Sequence, residues 1–202
     1  MSRKRLFYTV FFVVLFATFY FILTRLIPGF GKKKVPPISY VHPFRFINQD
    51  GKAFTEKEVE GKVFVAEYFF TTCEVVCPKM NRNMRKVYDE FKGDKNFLIL
   101  SHTSMPETDS VGRLKAFADS MGVNTAQWIF LTGRKDSLYG MARNSYTIDD
   151  PKNNLQSIED QFMHTQFWAL VDKHGDVREI YDGMKDVQVK ACIKEIARLL
   201  RN

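Results

Sequence analysis

Two cysteines in one short segment are the strongest chemical signal in this sequence. Cys73 and Cys77 lie in the stretch FFTTCEVVCPKM, between an apolar run that predicts a strand and the start of a predicted helix. Pro78 suits the first position of a helix, so we expect Cys77 near the N-cap. Because the free N–H groups and the dipole of a helix N-terminus stabilise anions, this position predicts thiol pKa values below the ordinary range.

The C-x3-C spacing is compatible with two kinds of chemistry. Side chains four positions apart on a helical turn have Cβ atoms roughly 5–6 Å apart, and a metal–thiolate bond is roughly 2.3 Å long, with zinc as the guide. Two sulfurs at this spacing can therefore share one soft metal ion such as Cu(I) or zinc, and a disulfide also fits if the turn relaxes. Two ordinary buried cysteines are the alternative, but a strand-to-helix junction argues against it.

The four histidines differ in how well they suit the role of a third donor. His164 precedes a predicted strand, where a loop can bring it over the mouth of the helix, and imidazole is a good copper ligand. His102 ends a predicted strand at the edge that Cys73 shares if the strands are parallel, but an ordinary polar residue is the favoured interpretation. We expect His42, before a proline in the linker, and His174, in a hairpin turn, to be solvated.

Two further residues with reactive side chains lie inside predicted elements. Glu67 is a carboxylate in an apolar strand, six residues before Cys73. Burial would raise its pKa, and a side chain that faces solvent is the equal alternative. Cys192 follows the apolar spacing of the last predicted helix, which indicates a small buried hydrophobic residue.

The elements that must position these residues follow from the hydrophobic pattern. The pattern predicts a hairpin at 44–55, strands at 63–70, 96–101 and 128–131, a second hairpin at 167–181, and helices at 78–91, 110–121, 135–143 and 187–200. This order predicts a mixed α/β fold in which helices lie on the faces of a central sheet.

Composition and charge exclude several classes of protein. The chain of 202 residues is 45% apolar and 26% charged, which excludes a disordered or collagen-like chain. The net charge of +7 comes from residues 1–34, which hold seven Lys or Arg and no acid, whereas the remainder holds 23 residues of each sign. This neutral remainder lacks the basic surface of a nucleic-acid binder. Three cysteines are too few for a disulfide-stapled scaffold.

The N-terminal segment predicts a membrane anchor over residues 1–28. Leu6 to Thr24 is a run of 19 uncharged residues, which as a helix spans just under roughly 30 Å, about one hydrocarbon core. A cleaved secretory signal is the alternative, but the apolar run is long for one and no small-x-small site follows it. The segment lacks the cysteine of a lipid anchor and any preceding mitochondrial presequence, which favours a bacterial membrane protein. We expect a linker at 29–43 and one domain at 44–202.

The sequence resembles the Sco/SenC family from about Phe44 to the C-terminus, and in its N-terminal anchor. The resemblance rests on Cys73-x3-Cys77-Pro78 after FFTT, and on His164 before a strand that ends in Val-Asp and is followed by Gly. It implies a thioredoxin-like fold, a mixed central sheet with helices on both faces, behind a single transmembrane helix.

The same resemblance implies a function, a location and a set of ligands. The function is delivery of copper to the binuclear copper site of cytochrome c oxidase, by a domain that faces the periplasm from the bacterial inner membrane. The implied copper ligands are Cys73, Cys77 and His164. Met105 stands where the family usually has an Asp, which puts a role for that Asp in doubt here; ordinary packing is the favoured interpretation of the Met105 thioether.

A second function stays open at this point. A membrane-anchored thiol–disulfide oxidoreductase that reduces the cysteines of partner proteins would use Cys73 and Cys77 as a redox-active pair, and it would not need His164. The C-x3-C loop is wider than the C-x2-C motif of thioredoxins, which favours the metal. A thiol peroxidase does not fit, because Ala66 and Phe70 replace the Pro and the Thr or Ser of its motif. The cysteine pair argues against an assembly factor without chemistry.

Overall fold

The computed structural model describes residues 2–26, 36–74, 76–149, 157–163 and 165–201 of a chain that divides into two compact units, Met1–Pro36 and Pro37–Asn202. In the first unit, helix α1 (Arg3–Leu26) has 24 residues and is long and apolar enough to cross a membrane. It contains the predicted apolar run. The predicted end of the anchor at Pro28 and residues 29–35 of the predicted linker lie outside the described residues.

The described part of the second unit contains a single eight-stranded sheet. The strands are β1 (Ser39–Tyr40), β2 (Arg45–Asn48), β3 (Ala53–Thr55), β4 (Val63–Phe69), β5 (Phe97–Thr103), β6 (Trp128–Thr132), β7 (Phe167–Val171) and β8 (Asp176–Asp182). Their order across the sheet is β1-β8-β7-β4-β5-β6-β2-β3. Strands β4, β5 and β6 are parallel, and the other neighbours are antiparallel.

Helices cover both faces of this sheet, as the sequence predicts. The helices are α2 (Cys77–Phe91), α3 (Val111–Met121), α4 (Lys135–Gly140) and α5 (Asp186–Leu200). Met84, Leu114 and Ile196 bring α2, α3 and α5 into one core, while Leu138 belongs to the core on the opposite face. All seven residues of β4 are buried, which explains their nearly continuous apolar run.

Three elements differ from the sequence-based expectation. The helix expected at 135–143 ends at Gly140 and continues as a π-helical turn, Met141–Ser145. Strand β5 runs past Ser101 to Thr103, because its parallel pairing with β4 continues to Phe69. Strand β1 forms inside the predicted linker, because Ser39 and Tyr40 pair with β8. The two strand differences depend on distant partners, which local patterns do not reveal.

Candidate metal centre

The two cysteines lie next to each other where the chain leaves β4 and enters α2. The backbone N–H of Cys73 donates to the carbonyl of Phe70 at 3.2 Å, which closes the turn after the strand. Cys77 is the first residue of α2, and its backbone N–H donates to the Cys73 sulfur at 3.2 Å. The sulfur of Cys73 thus accepts one of the free N–H groups of the helix N-terminus, a place that favours negative charge.

Cys73 and Cys77 lie in the wall of a cleft of about 780 Å³. Phe70, Met80, Phe162 and Phe167 are among the apolar side chains that line it. Cys73 is half-buried and Cys77 is 6% exposed, so the two thiols differ in access to solvent. Cys73, Cys77 and Cys192, all of which the structure describes, form no disulfide with one another.

The expectation of lowered thiol pKa values is wrong for Cys77. Burial, and after it the neighbouring Cys73 thiol and the carboxylate of Glu67, raise the pKa of the Cys77 thiol from its ordinary value of 9.0 to about 12. The loss of solvation outweighs the helix N-terminus, because the first N–H of the helix is directed at the sulfur of Cys73 rather than at that of Cys77.

Glu67 is buried in β4 on the sheet face that α2 covers, close enough to Cys77 to affect the pKa of its thiol. It is 1% exposed, and its Oε1 accepts the hydroxyl of Ser101 at 2.7 Å. The indole N–H of Trp128 donates to the same hydroxyl at 2.8 Å. Burial raises the pKa of Glu67, and although the Ser101 hydroxyl offsets a part of this rise, the pKa is about 7. Of the two interpretations that the sequence allowed, the buried one is therefore confirmed.

His164 itself lies outside the described residues, but the residues around it are fixed by contacts. The backbone N–H of Met163 donates to the hydroxyl oxygen of Tyr139 at 3.1 Å. Thr165 and Gln166 line the cleft that contains the two cysteines. The Gln166 amide donates to Asp182 at 2.8 Å. The segments on both sides of His164 are thus anchored, and the one that follows it borders the cysteine cleft.

A buried ion pair supports this region, and the sequence analysis missed it. The Arg143 guanidinium lies 2.7 Å from the Asp149 carboxylate, with side chains 4% and 6% exposed, and it donates to the side chain of Gln161 at 2.7 Å. Asp149 also lines the cleft. Arg143 directly after the apolar residues Met141 and Ala142 was the available signal, but spacing alone does not identify its partner.

The remaining candidate residues do not contribute donors to the cleft. His102 is completely buried in β5 and stacks on Tyr68 with ring centroids 5.0 Å apart, and burial lowers its pKa to about 3. His42 and His174 are exposed, as expected. Cys192 is completely buried in α5, also as expected, and burial raises its pKa. Met105 is not one of the described residues that line the cleft.

Comparison with known proteins identifies the family. The profile of the SCO1/SenC family matches residues 33–201, which is most of the chain. The SCO1 protein homolog of Bacillus subtilis is 31% identical over 171 residues, which cover 82% of this chain and 86% of that protein. The chain belongs to the SCO1/SenC family.

Solved structures of Sco proteins have the same fold. BsSco, a member of the Sco family of cytochrome c oxidase assembly proteins with an identified disulfide switch, is 30% identical with a TM-score of 0.66, over 80% of this chain and 94% of BsSco. ScoI of Bradyrhizobium japonicum with copper bound is 19% identical with a TM-score of 0.62, over 80% of this chain and 99% of ScoI. The thioredoxin-like fold expected for a Sco/SenC protein is thus confirmed.

Proposed function

We propose that this Sco/SenC protein is a membrane-tethered copper chaperone. In this proposal Cys73, Cys77 and His164 bind a copper ion, and the protein delivers that ion to the binuclear copper site of cytochrome c oxidase. Residues 1–28 form the anchor, 29–43 the linker and 44–202 the copper-binding domain, which faces the periplasm. Copper is the cargo of this reaction rather than a resident cofactor.

The contact between the Cys77 N–H and the Cys73 sulfur carries the proposal. It holds two soft donors at the wall of a cleft that Thr165, the neighbour of His164, also lines. The described residues contain no cluster of three metal-binding side chains, so His164 is the third donor of the proposal on the strength of the family motif. Two thiolates and an imidazole suit copper. The bound copper of ScoI and the assembly role of the Sco family are the properties that we extend to this chain.

The unequal burial of the two sulfurs supports different roles for them in this proposal. Thiols must lose their protons to bind a metal. Because the pKa of Cys77 is raised, its thiol loses the proton only when the metal binds. Affinity for copper therefore falls as pH falls. The half-buried Cys73 is the sulfur that a donor of the recipient protein reaches first, so ligand exchange begins there and the bond to the buried Cys77 breaks last.

Copper binding by four variants tests the ligand set. We expect the full chain in detergent, with its cysteines reduced, to bind one Cu(I) ion. Cys73→Ser and Cys77→Ser should each abolish stable binding, because one of two soft donors is lost. His164→Ala should weaken binding by more than about tenfold, which corresponds to about 1.4 kcal/mol. The measurement is competition with a chromophoric Cu(I) chelator, followed by metal analysis.

His174→Ala is the matched control, because His174 is an exposed histidine in a hairpin turn. It should bind copper as the wild type does. A His164→Ala variant with wild-type affinity would contradict the three-ligand site.

The unequal access to the two thiols favours thiol–disulfide exchange as a second candidate. The Cys73 thiolate would attack a disulfide of a partner protein, and Cys77 would then displace the reduced partner. The partner gains two electrons and the pair becomes the Cys73–Cys77 disulfide, which an external thiol reductant must reset. This function would be favoured over the chaperone if the wild-type protein binds no copper and the His164→Ala variant keeps its reductase activity.

A further inference from the structure

A second buried carboxylate lies beside the cysteine loop and belongs to neither the proposed ligand set nor the ion pair described above. Asp109 is completely buried between the end of β5 and the start of α3. Its Oδ1 accepts the Thr71 hydroxyl at 2.5 Å, and its Oδ2 accepts the Thr71 backbone N–H at 3.1 Å and the Thr103 hydroxyl at 2.6 Å. Within the described residues, no Lys, Arg or His forms an ion pair with Asp109.

A carboxylate in this position is costly unless hydrogen bonds replace its lost hydration. The hydrogen bonds that replace it here come from two strand ends. Thr103 is the last residue of β5, and Thr71 is the second residue after β4. Asp109 therefore ties the loop that follows β4 to the neighbouring strand.

The hydrogen bonds between Asp109 and Thr71 lie two residues before Cys73 in the chain. Thr71 lies within the turn that the Cys73 N–H closes on the carbonyl of Phe70. At the residue before Phe70, the backbone N–H of Ser104 donates to the carbonyl of Phe69 at 2.8 Å. After the turn, the Cys73 sulfur accepts the N–H of Cys77. Successive hydrogen bonds thus define the path of the chain from the end of β4 to the first residue of α2.

We propose that Asp109 is a positioning residue for the cysteine pair. Through its two hydrogen bonds to Thr71, it holds Cys73 against the first turn of α2, so that the two sulfurs are adjacent before a metal or an oxidant arrives. Preorganisation of this kind lowers the entropy lost when the pair is bridged. For copper the inference rests on the proposed function, whereas for the disulfide it stands independently.

The equilibrium between the dithiol and the disulfide tests this role without a metal. Oxidised glutathione takes two electrons from the two thiols, which gives the Cys73–Cys77 disulfide and two molecules of reduced glutathione. Thr71→Val removes the hydroxyl that Asp109 accepts and preserves the shape of the side chain. We expect the equilibrium constant for disulfide formation, measured on the full chain in detergent, to fall by about tenfold, since a hydrogen bond to a charged group is worth about that factor or more. Cu(I) affinity should fall in the same direction.

Three further variants separate positioning from stability. Thr71→Ser keeps the hydroxyl and should recover most of the loss. Asp109→Asn should lower the constant as Thr71→Val does, and if this variant does not fold, Thr71→Val carries the test. Thr55→Val is the matched control, because its hydroxyl donates to the Glu58 carboxylate at 2.7 Å on edge strand β3. It should leave the constant unchanged.

The outcomes are distinct. A wild-type constant in Thr71→Val overturns the proposal, and so does an equal loss in Thr55→Val, because stability alone then moves the equilibrium. If Thr71→Val lowers the equilibrium constant for disulfide formation but the wild-type protein binds no Cu(I), the positioning role is supported and the chaperone function is contradicted.

Discussion

At the scale of single residues, burial controls the acid–base chemistry around the cysteine pair. Glu67 is buried on the sheet face under α2 and Cys77 is buried in the first turn of α2, and burial raises the pKa of both. A charge on one disfavours a charge on the other. The site therefore resists the loss of protons until a ligand for the sulfur compensates for the cost.

The raised pKa of Glu67 predicts how stability depends on pH. Between pH 4.5 and about 7 the folded protein keeps a proton on Glu67 that the unfolded chain has released, so stability falls as pH rises through this window. The full effect is about 3 kcal/mol, at about 1.4 kcal/mol for each pKa unit. Glu67→Gln removes it, so the stability of this variant relative to the wild type should rise by about that amount from pH 4.5 to 8. Urea unfolding of both proteins across this range measures the difference.

Glu60→Gln is the matched control for this measurement, because Glu60 is exposed. It should reproduce the pH dependence of the wild type. A constant difference in stability between Glu67→Gln and the wild type at all pH values would contradict a raised pKa for Glu67.

At the scale of elements, the ion pair of Arg143 and Asp149 connects the π-helical turn to the wall of the cysteine cleft. Arg143 lies in the turn Met141–Ser145, and its guanidinium also reaches the Gln161 side chain. Tyr139, in the preceding helix, donates its hydroxyl to the carbonyl of Ser104 at 2.9 Å and accepts the N–H of Met163. These contacts fasten the segment before His164 to the carboxyl end of β5.

Removal of the guanidinium should therefore destabilise the fold strongly. Arg143→Met leaves the buried Asp149 carboxylate without its cation, for which we expect a loss of about 3–5 kcal/mol. The double variant Arg143→Met, Asp149→Leu should recover a large part of this loss, because no buried charge is then left unpaired. Denaturant unfolding at pH 7 measures both changes.

The exposed ion pair of Arg134 and Asp136 provides the comparison. Its partners lie 2.6 Å apart, but their side chains are 82% and 47% exposed. Arg134→Met should leave stability nearly unchanged, because solvent screens such a pair. Equal losses in Arg134→Met and Arg143→Met would contradict the distinction between the two pairs.

At the scale of the whole molecule, charge and hydrophobicity are divided between two parts of the chain. All of the net charge of +7 comes from residues 1–34, and the remainder is neutral. Helix α1 within this segment is apolar over a membrane-spanning length, with Arg3, Lys4 and Arg5 at one end and Arg25 at the other. Basic side chains at both ends suit a helix whose ends reach lipid headgroups.

The proposed topology predicts the location of the C-terminus. A reporter that is active only in the periplasm, fused after Asn202, should be active in bacterial cells, and a cytoplasm-dependent reporter at the same site should be silent. The protein should sediment with the membrane fraction. The same fusions to a chain without residues 1–28 should lose both the periplasmic activity and the membrane association. Activity from the cytoplasm-dependent reporter alone would reverse the orientation.

The sequence by itself determined most of the elements of this protein and the place of its cysteine pair. The hairpin at β2 and β3, the buried strand β4 and the helices α2, α3 and α5 follow from local apolar spacing, because a strand or helix that buries one face repeats that face in its sequence. The position of Cys73 and Cys77 at the end of β4 follows for the same reason. The family motif then connected them to His164.

The tertiary structure alone decided the environment of these residues. The sequence left Glu67 equally buried or exposed, predicted the wrong direction for the pKa of Cys77, and gave no partner for Arg143. Burial depends on what covers a side chain, and the covering residues are far away in the chain: Ser101 follows Glu67 by 34 positions, and Asp109 follows Thr71 by 38. Local patterns contain no information on such pairs, because only the parallel alignment of β4 with β5 brings them together.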